Sequence, residues 1–149
     1  MSERLITLIG GSGFIGRHLV RRLAAQGYRI RVGVRHPEKA KFLQPLGDVG
    51  QIVPVQVNLR DDTSVLAAVN GASAVVNLVG VLRNSGHQTF NVLHGDGPGR
   101  VGRLAALGGV ERLIHISAIG ASNESASHYA RSKAAGEAAL KEEYPAATI

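Results

Sequence analysis

"LIGGSGFIGRHLV", residues 8–20, places four glycines within the seven positions 10–16 and then begins an apolar–basic repeat. Glycine inside regular structure costs about 0.5–1 kcal/mol relative to alanine, so the cluster needs a geometric reason. A tight strand-to-helix turn is one such reason. A turn whose backbone lets a phosphate come very close is the other. The flanks decide between them. "RLITLI" (4–9) is a short, nearly continuous apolar run, as expected of a strand buried on both faces of a parallel sheet. From 14 to 26, Ile15, Leu19 and Leu23 recur every fourth residue with Arg17, Arg21 and Arg22 between them, and Gly27 supplies the stop. A glycine turn between a strand and a helix is the setting that dinucleotide binding requires. One glycine makes the turn, one admits the pyrophosphate and one lets helix and strand pack closely, while the helix N-terminus offers free N–H groups. Two registers are open: Gly11, Gly13 and Gly16 spell G-x-G-x-x-G, and Gly10, Gly13 and Gly16 spell G-x-x-G-x-x-G. The same pattern recurs at Gly97, Gly99 and Gly102, but there it follows no strand and contains Pro98. That copy is read as the start of a helix capped by Asp96, with no nucleotide.

Further along, "RIRVGV" (29–34), "IVPVQV" (52–57), "ASAVVNLVG" (72–80) and "RLIHIS" (112–117) read as strands. A short helix is expected around Pro37, another capped by Asp62 or Thr63 and running to Asn70, and others over 98–107 and 127–143. Residues 83–97 and 118–126 are the longest expected loops. Strands alternating with helices predict an α/β fold, a doubly wound parallel sheet with helices on both faces. Ligands in such sheets bind beyond the strand ends.

The 149 residues contain no cysteine, which excludes disulfides and thiolate metal sites, and the six histidines show no metal-ligand spacing. The apolar stretch 74–82 is too short to span a bilayer, and the cytoplasm is the default compartment. The net charge of +6 invites a nucleic-acid reading, the most distant of those weighed. An aromatic content of 4% argues against a base-stacking surface, and no specific nucleic-acid partner is expected. An NAD-preferring fold ends its second strand with an acid for the adenosine ribose. Here that strand runs into Arg35, where a guanidinium could grip a 2′-phosphate, with Lys39 adding charge. NADP is therefore the expected cofactor, with NAD as the alternative.

The turn "GGSGFIG", residues 10–16, resembles that of the extended and atypical members of the short-chain dehydrogenase/reductase superfamily. The resemblance extends along the chain through Asn58-Leu59, where that superfamily carries Asp-Leu for the adenine, and through Asn77-Leu78-Val79-Gly80. It continues through Ser117 and "YARSK", Tyr129 to Lys133. "VERLIHISAIGA", "YARSKAAGEAAL" and "YPAATI" are most similar to the branch containing the NADPH-binding accessory subunit of respiratory complex I. The resemblance implies that Gly10, Gly11, Ser12, Gly13, Phe14, Ile15 and Gly16 bind cofactor. Arg35, Lys39, Asn58, Leu59, Leu78, Val79, Gly80, Tyr129 and Lys133 complete that set. It makes Tyr129, Lys133 and Ser117 the catalytic candidates. Tyr129 would exchange a proton, and Lys133 would lower the phenol's pKa and hold the nicotinamide ribose. Many extended relatives carry a hydroxyl at the position of Ala118; here Ser117 either serves in its place or only satisfies backbone groups at the strand end. His115 is read as a packed, neutral core residue.

The whole of 1–149 reads as one NAD(P)-binding domain ending where a sixth strand should begin, without the later substrate lobe of relatives. Two functions follow. One is a dinucleotide-holding module with weak or no turnover, in a homo-oligomer or larger assembly. The other is an active NADP-dependent oxidoreductase or epimerase on a small carbonyl, alcohol or nucleotide-sugar-like substrate.

Overall fold

The first strand, β1 (Leu5–Ile9), forms the middle of a five-stranded sheet in a computed structural model that describes residues 4–82, 84–86 and 89–149. The other strands are β2 (Arg29–Val34), β3 (Ile52–Gln56), β4 (Ala74–Asn77) and β5 (Arg112–His115), in the order β3-β2-β1-β4-β5. Every pairing is parallel. The helices are α1 (Phe14–Ala25), α2 (Asp62–Val69), α3 (Gly97–Leu107) and α4 (His128–Glu143), with a 3-10 helix at Pro37–Leu46. This is the expected doubly wound α/β fold. The period of two along the strands divides the core into two layers. Leu8, Val32 and Val76 pack with Val20 and Ala24 of α1 and Leu43 of the 3-10 helix. Ile9, Val75 and Leu113 pack on the opposite face with Val65 of α2, Leu104 of α3 and Leu140 of α4.

Pro54 is tolerated because β3 is an edge strand. Ile30 N–H donates to Gln51 O (2.8 Å) and Val57 N–H to Val34 O (2.9 Å), so the odd-numbered residues of β3 face β2. The nitrogen of Pro54 then lies on the outer side, where no ladder bond is lost.

Several expectations need correction. The buried stripe of α1 is Gly16, Val20 and Ala24, one residue on from Ile15, Leu19 and Leu23. Gly16 sets this rotation, because a Cβ there would overlap the Gly11 carbonyl group. Asp61, not Asp62 or Thr63, caps α2 by accepting from Thr63 N–H (3.2 Å). Asp62 pairs instead with Arg100 and Arg103 of α3 at 2.6 Å each. The strand expected over 72–80 ends at Asn77, whose Oδ1 accepts from Val79 N–H (3.2 Å) and turns the chain out of the sheet. β5 ends at His115 rather than Ser117.

The expected loop 83–97 is partly helical, although residues 83, 87 and 88 of it lie outside the described residues. A π-helical segment, Asn91–Asp96, runs straight into α3, so Asp96 sits inside a continuous helix and makes no side-chain cap. The second glycine pattern serves helix packing. A Cβ on Gly99 would lie 3.1 Å from Ala139 Cβ, and one on Gly102 2.9 Å from Leu140 Cδ1. After α4, Thr148 bridges Ile114 in parallel: Thr148 N–H donates to Leu113 O (2.9 Å) and His115 N–H to Thr148 O (2.8 Å).

Candidate dinucleotide site

The strand order turns back between β1 and β4, and a cleft of about 310 Å³ opens beyond the ends of β1 to β4. Crevices of this kind are where doubly wound sheets bind ligands. Gly10, Ser12 and Gly13 line it from the glycine turn, Arg35 from the end of β2, Asn58 and Leu59 from behind β3, and Leu78, Val79 and Gly80 from behind β4. Sequence reasoning missed Ile9, Gly33, Val34, Val57, Val81 and Leu93, the remaining walls. These are glycine or apolar residues at strand ends or just beyond them and a helical leucine, indistinguishable by type from core residues.

Each glycine of the turn has its own task. Gly10 has φ +81°, the left-handed region that favours glycine, and donates to Gly33 O (2.8 Å). Gly11 is buried, and a Cβ there would lie 3.0 Å from both Leu8 Cβ and Val32 Cγ1. Gly13 stands at the N-cap of α1 with no side-chain cap, and a Cβ would meet only Gly10 O, at 3.6 Å. Gly10, Gly13 and Gly16 thus make the turn, the open approach and the packing contact. That is the register G-x-x-G-x-x-G. The open helix N-terminus fits a diphosphate.

Not every residue expected at the cofactor is brought to the cleft. Gly11 and Gly16 pack beneath it. Phe14 is 78% exposed, its ring edge-on to His18. Ile15, 52% exposed, lines an apolar groove on the other face of the sheet with Leu19, Leu23 and Ile114. Lys39 is exposed in the first turns of the 3-10 helix and is not among the lining residues. Among the described residues that line the cleft, Arg35 is the one with an ionisable side chain.

The catalytic candidates Tyr129, Lys133 and Ser117 are not among the residues that line the cleft, although the first two were expected at the cofactor. Ser127 caps α4, accepting from Ala130 N–H (3.3 Å), and Tyr129 follows in the first turn with Lys133 one turn later. Lys133 is only 3% exposed, and its Nζ donates to Ile116 O (3.2 Å), next to Ser117. Burial lowers its pKa, and Glu137 opposes part of that shift. Ser117 Oγ is buried without a protein partner. Tyr129 is half-buried and presents its ring edge-on to Phe90 (5.7 Å) and His94 (5.2 Å).

His94 and Ser132 were not foreseen. Val81 N–H donates to His94 Nε2 (2.9 Å), so the imidazole proton belongs on Nδ1, 3.1 Å from Ser132 Oγ. Ser132 Oγ in turn donates to Tyr129 O (2.7 Å). The i, i+4 pair Phe90 and His94 is the one signal that could have marked this helix. Its rings stack with centroids 5.3 Å apart. His115 is a buried histidine as expected. Its Nδ1 lies 3.2 Å from Asn77 Nδ2, and its Nε2 has no protein partner.

Residues 10–148 match the family model described as NAD(P)H-binding. The chain belongs to this NAD(P)H-binding family. It is 37% identical over 155 residues to NADH dehydrogenase (ubiquinone) 1 alpha subcomplex subunit 9, mitochondrial, of Arabidopsis thaliana, covering 100% of this chain and 38% of that protein. It is 32% identical over 145 residues to ceramide reductase of Caulobacter vibrioides, covering 97% of this chain and 44% of that one. The chain therefore spans about two fifths of the length of these curated relatives. Its fold is that of the Bordetella bronchiseptica enzyme WbmG, solved in complex with NAD, with a TM-score of 0.76 at 20% identity over 95% of this chain and 50% of that one. The resemblance to the short-chain dehydrogenase/reductase superfamily and its complex I accessory branch is borne out.

In this NAD(P)H-binding domain His94 and His115 stay neutral, and that gives a pH prediction. Burial first, then Lys133, lowers both to about 4, with His94 adding to the shift of His115. Unfolded histidine titrates near 6.5. Between these values the unfolded chain binds more protons, so stability is full above pH ~6.5 and falls as the pH drops toward ~4. Each histidine adds up to about 1.4 kcal/mol per pH unit to that slope. Urea unfolding from pH 7.5 to 4.5 measures it. A flat profile, or an unchanged slope in His94→Gln, contradicts the assignment.

Proposed function

We propose that this chain is a dinucleotide-holding domain that prefers NADP(H) and has weak or no turnover. The observation that carries the preference is Arg35. It lines the cleft at the end of β2, where an NAD-preferring fold places an acid, and no Asp or Glu among the described residues lines the cleft with it. Its guanidinium would grip the 2′-phosphate in bidentate fashion, with Lys39 adding positive charge from the neighbouring helix. The free N–H groups at the start of α1 would receive the diphosphate, and Asn58 and Leu59 the adenine. Lys133 and Tyr129 would lie along the nicotinamide ribose. The bound dinucleotide would supply or accept hydride. Assembly with a larger partner, peripheral to a membrane, is supported by the likeness to a complex I subunit. No helix among the described residues is long and apolar enough to cross a membrane.

A hydrogen bond to a charged group contributes about 1.5–3 kcal/mol, so NADPH should bind about 10- to 150-fold more tightly than NADH. Arg35→Asp should reverse the order by repelling the phosphate and accepting the ribose hydroxyls. Fluorescence titration of both proteins with both cofactors decides it. Equal affinities in the wild type, or tighter NADH binding, overturn the reading.

A second reading, an active oxidoreductase or epimerase on a carbonyl or alcohol, is favoured by the buried Lys133 ammonium beside Ser117 on the helix that carries Tyr129. The likeness to a ceramide reductase points the same way. Here Tyr129 Oη would hold and release the proton, Lys133 would hold the nicotinamide ribose, and Ser117 Oγ would polarise the reacting oxygen.

A further inference from the structure

The wall of the cleft behind β4 is tied to the helix that carries Tyr129 through one imidazole. Leu78 N–H donates to Ile9 O (2.8 Å) and Val79 N–H to Asn77 Oδ1 (3.2 Å), both partners lying in the sheet. Val81 N–H goes the other way, to His94 Nε2 (2.9 Å). A Cβ on Gly80 would stand 3.7 Å from the same nitrogen, so His94 lies directly behind this wall. His94 Nδ1–H then reaches Ser132 Oγ (3.1 Å), whose own proton goes to the carbonyl of Tyr129 (2.7 Å). The imidazole is 1% exposed and held by rings on two sides: Phe90 stacks on it at an interplanar angle of 10°, and Tyr129 meets it edge-on at 88°. A side chain with both ring nitrogens engaged and both flanks packed moves only with its neighbours.

We propose that His94 is a positioning residue that couples occupancy of the dinucleotide cleft to the placement of Tyr129, through the path Val81–His94–Ser132–Tyr129. The inference rests on the dinucleotide reading of the cleft. A nucleotide that presses on Leu78–Val81 shifts the Val81 N–H, His94 follows its acceptor bond, and the first turn of α4 follows Ser132. Tyr129 is then set by the adenosine half of the cofactor before any nicotinamide reaches it. A residue serving only to fill the core would keep the fold stable but transmit nothing.

The test uses adenosine 2′,5′-bisphosphate, which has the adenine and the 2′-phosphate but no nicotinamide to touch Tyr129. The full chain is labelled with 13C-tyrosine and titrated while its three tyrosines are followed by NMR. Binding should shift Tyr129 in the wild type and leave Tyr144 in place, since that hydroxyl is held by Val110 O (2.6 Å). Ser132→Ala removes the middle of the path without harm to a helix. His94→Gln keeps an acceptor for Val81 N–H but not the link to Ser132. Both variants should bind the probe with near wild-type affinity and lose the Tyr129 shift. A Tyr129 shift preserved in both variants, or absent in a wild type that binds the probe, overturns the coupling alone. Failure of the wild type to bind the probe overturns the dinucleotide reading, and the coupling with it.

Discussion

Gly136→Ala is expected to destabilise the chain by at least about 3 kcal/mol, at or beyond the upper end of ordinary overpacking. Two effects oppose each other at this position in α4. Alanine improves helix propensity by about 1 kcal/mol over glycine in a helix interior. The added Cβ, however, would fall on the backbone carbonyl oxygen of His94, with His94 C and Pro98 Cγ each 3.0 Å away. No rotamer relieves an overlap with backbone, so α4 must move off the π-helical segment, and the links from His94 to Ser132 and Tyr129 open with it. The overlap wins. Gly95→Ala is the control, because a Cβ there meets nothing within 4 Å. Urea unfolding of both variants measures the difference. A Gly136→Ala protein as stable as Gly95→Ala would show that the two helices are not in close contact.

Tyr129→Phe is expected to lower any turnover of a carbonyl or alcohol by about 100-fold or more, the scale of general acid–base catalysis. The substitution removes one oxygen and keeps the ring that meets Phe90 and His94, so stability and NADPH affinity should stay near wild type. Lys133→Ala should damage both binding and turnover, because that side chain would serve ribose and phenol alike. Measuring kcat and NADPH affinity separately distinguishes the two variants. Full activity in Tyr129→Phe would remove the catalytic role and leave the dinucleotide-holding function as the one reading.

Which residues would form the cleft was legible in the sequence wherever backbone freedom or charge was at stake. Glycine has a distinctive cost, so the cluster after β1 announced a special turn. Arg35 stood out because charge type at a strand end matters to a ribose or a phosphate. His94 could not be found in this way. Its surroundings, "NVLHGDGPG" (91–99), are rich in glycine and read as loop, yet they form a π-helical segment running into α3, and α4 packs on the two through Gly99, Gly102 and Gly136. The resemblance places Ile15 at the cofactor, and charge places Lys39 there. Close packing of Gly16 on Gly11 turned Ile15 to the other face, and the 3-10 helix kept Lys39 off the cleft wall.

Local chemistry is written in the sequence by itself. The alternation of strand and helix follows from hydrophobic period. The phosphate-like turn follows from glycine, and the NADP expectation from the missing acid at the end of β2. Tertiary structure alone decided the glycine register, through the left-handed φ of Gly10, and the rotation of α1. It also decided the cap at Asp61 and the joining of Val81, His94, Ser132 and Tyr129 into one path. The path depends on contacts between residues up to 38 positions apart, His94 to Ser132. No local pattern encodes such a distance, because it is set by how the helices settle on the finished sheet.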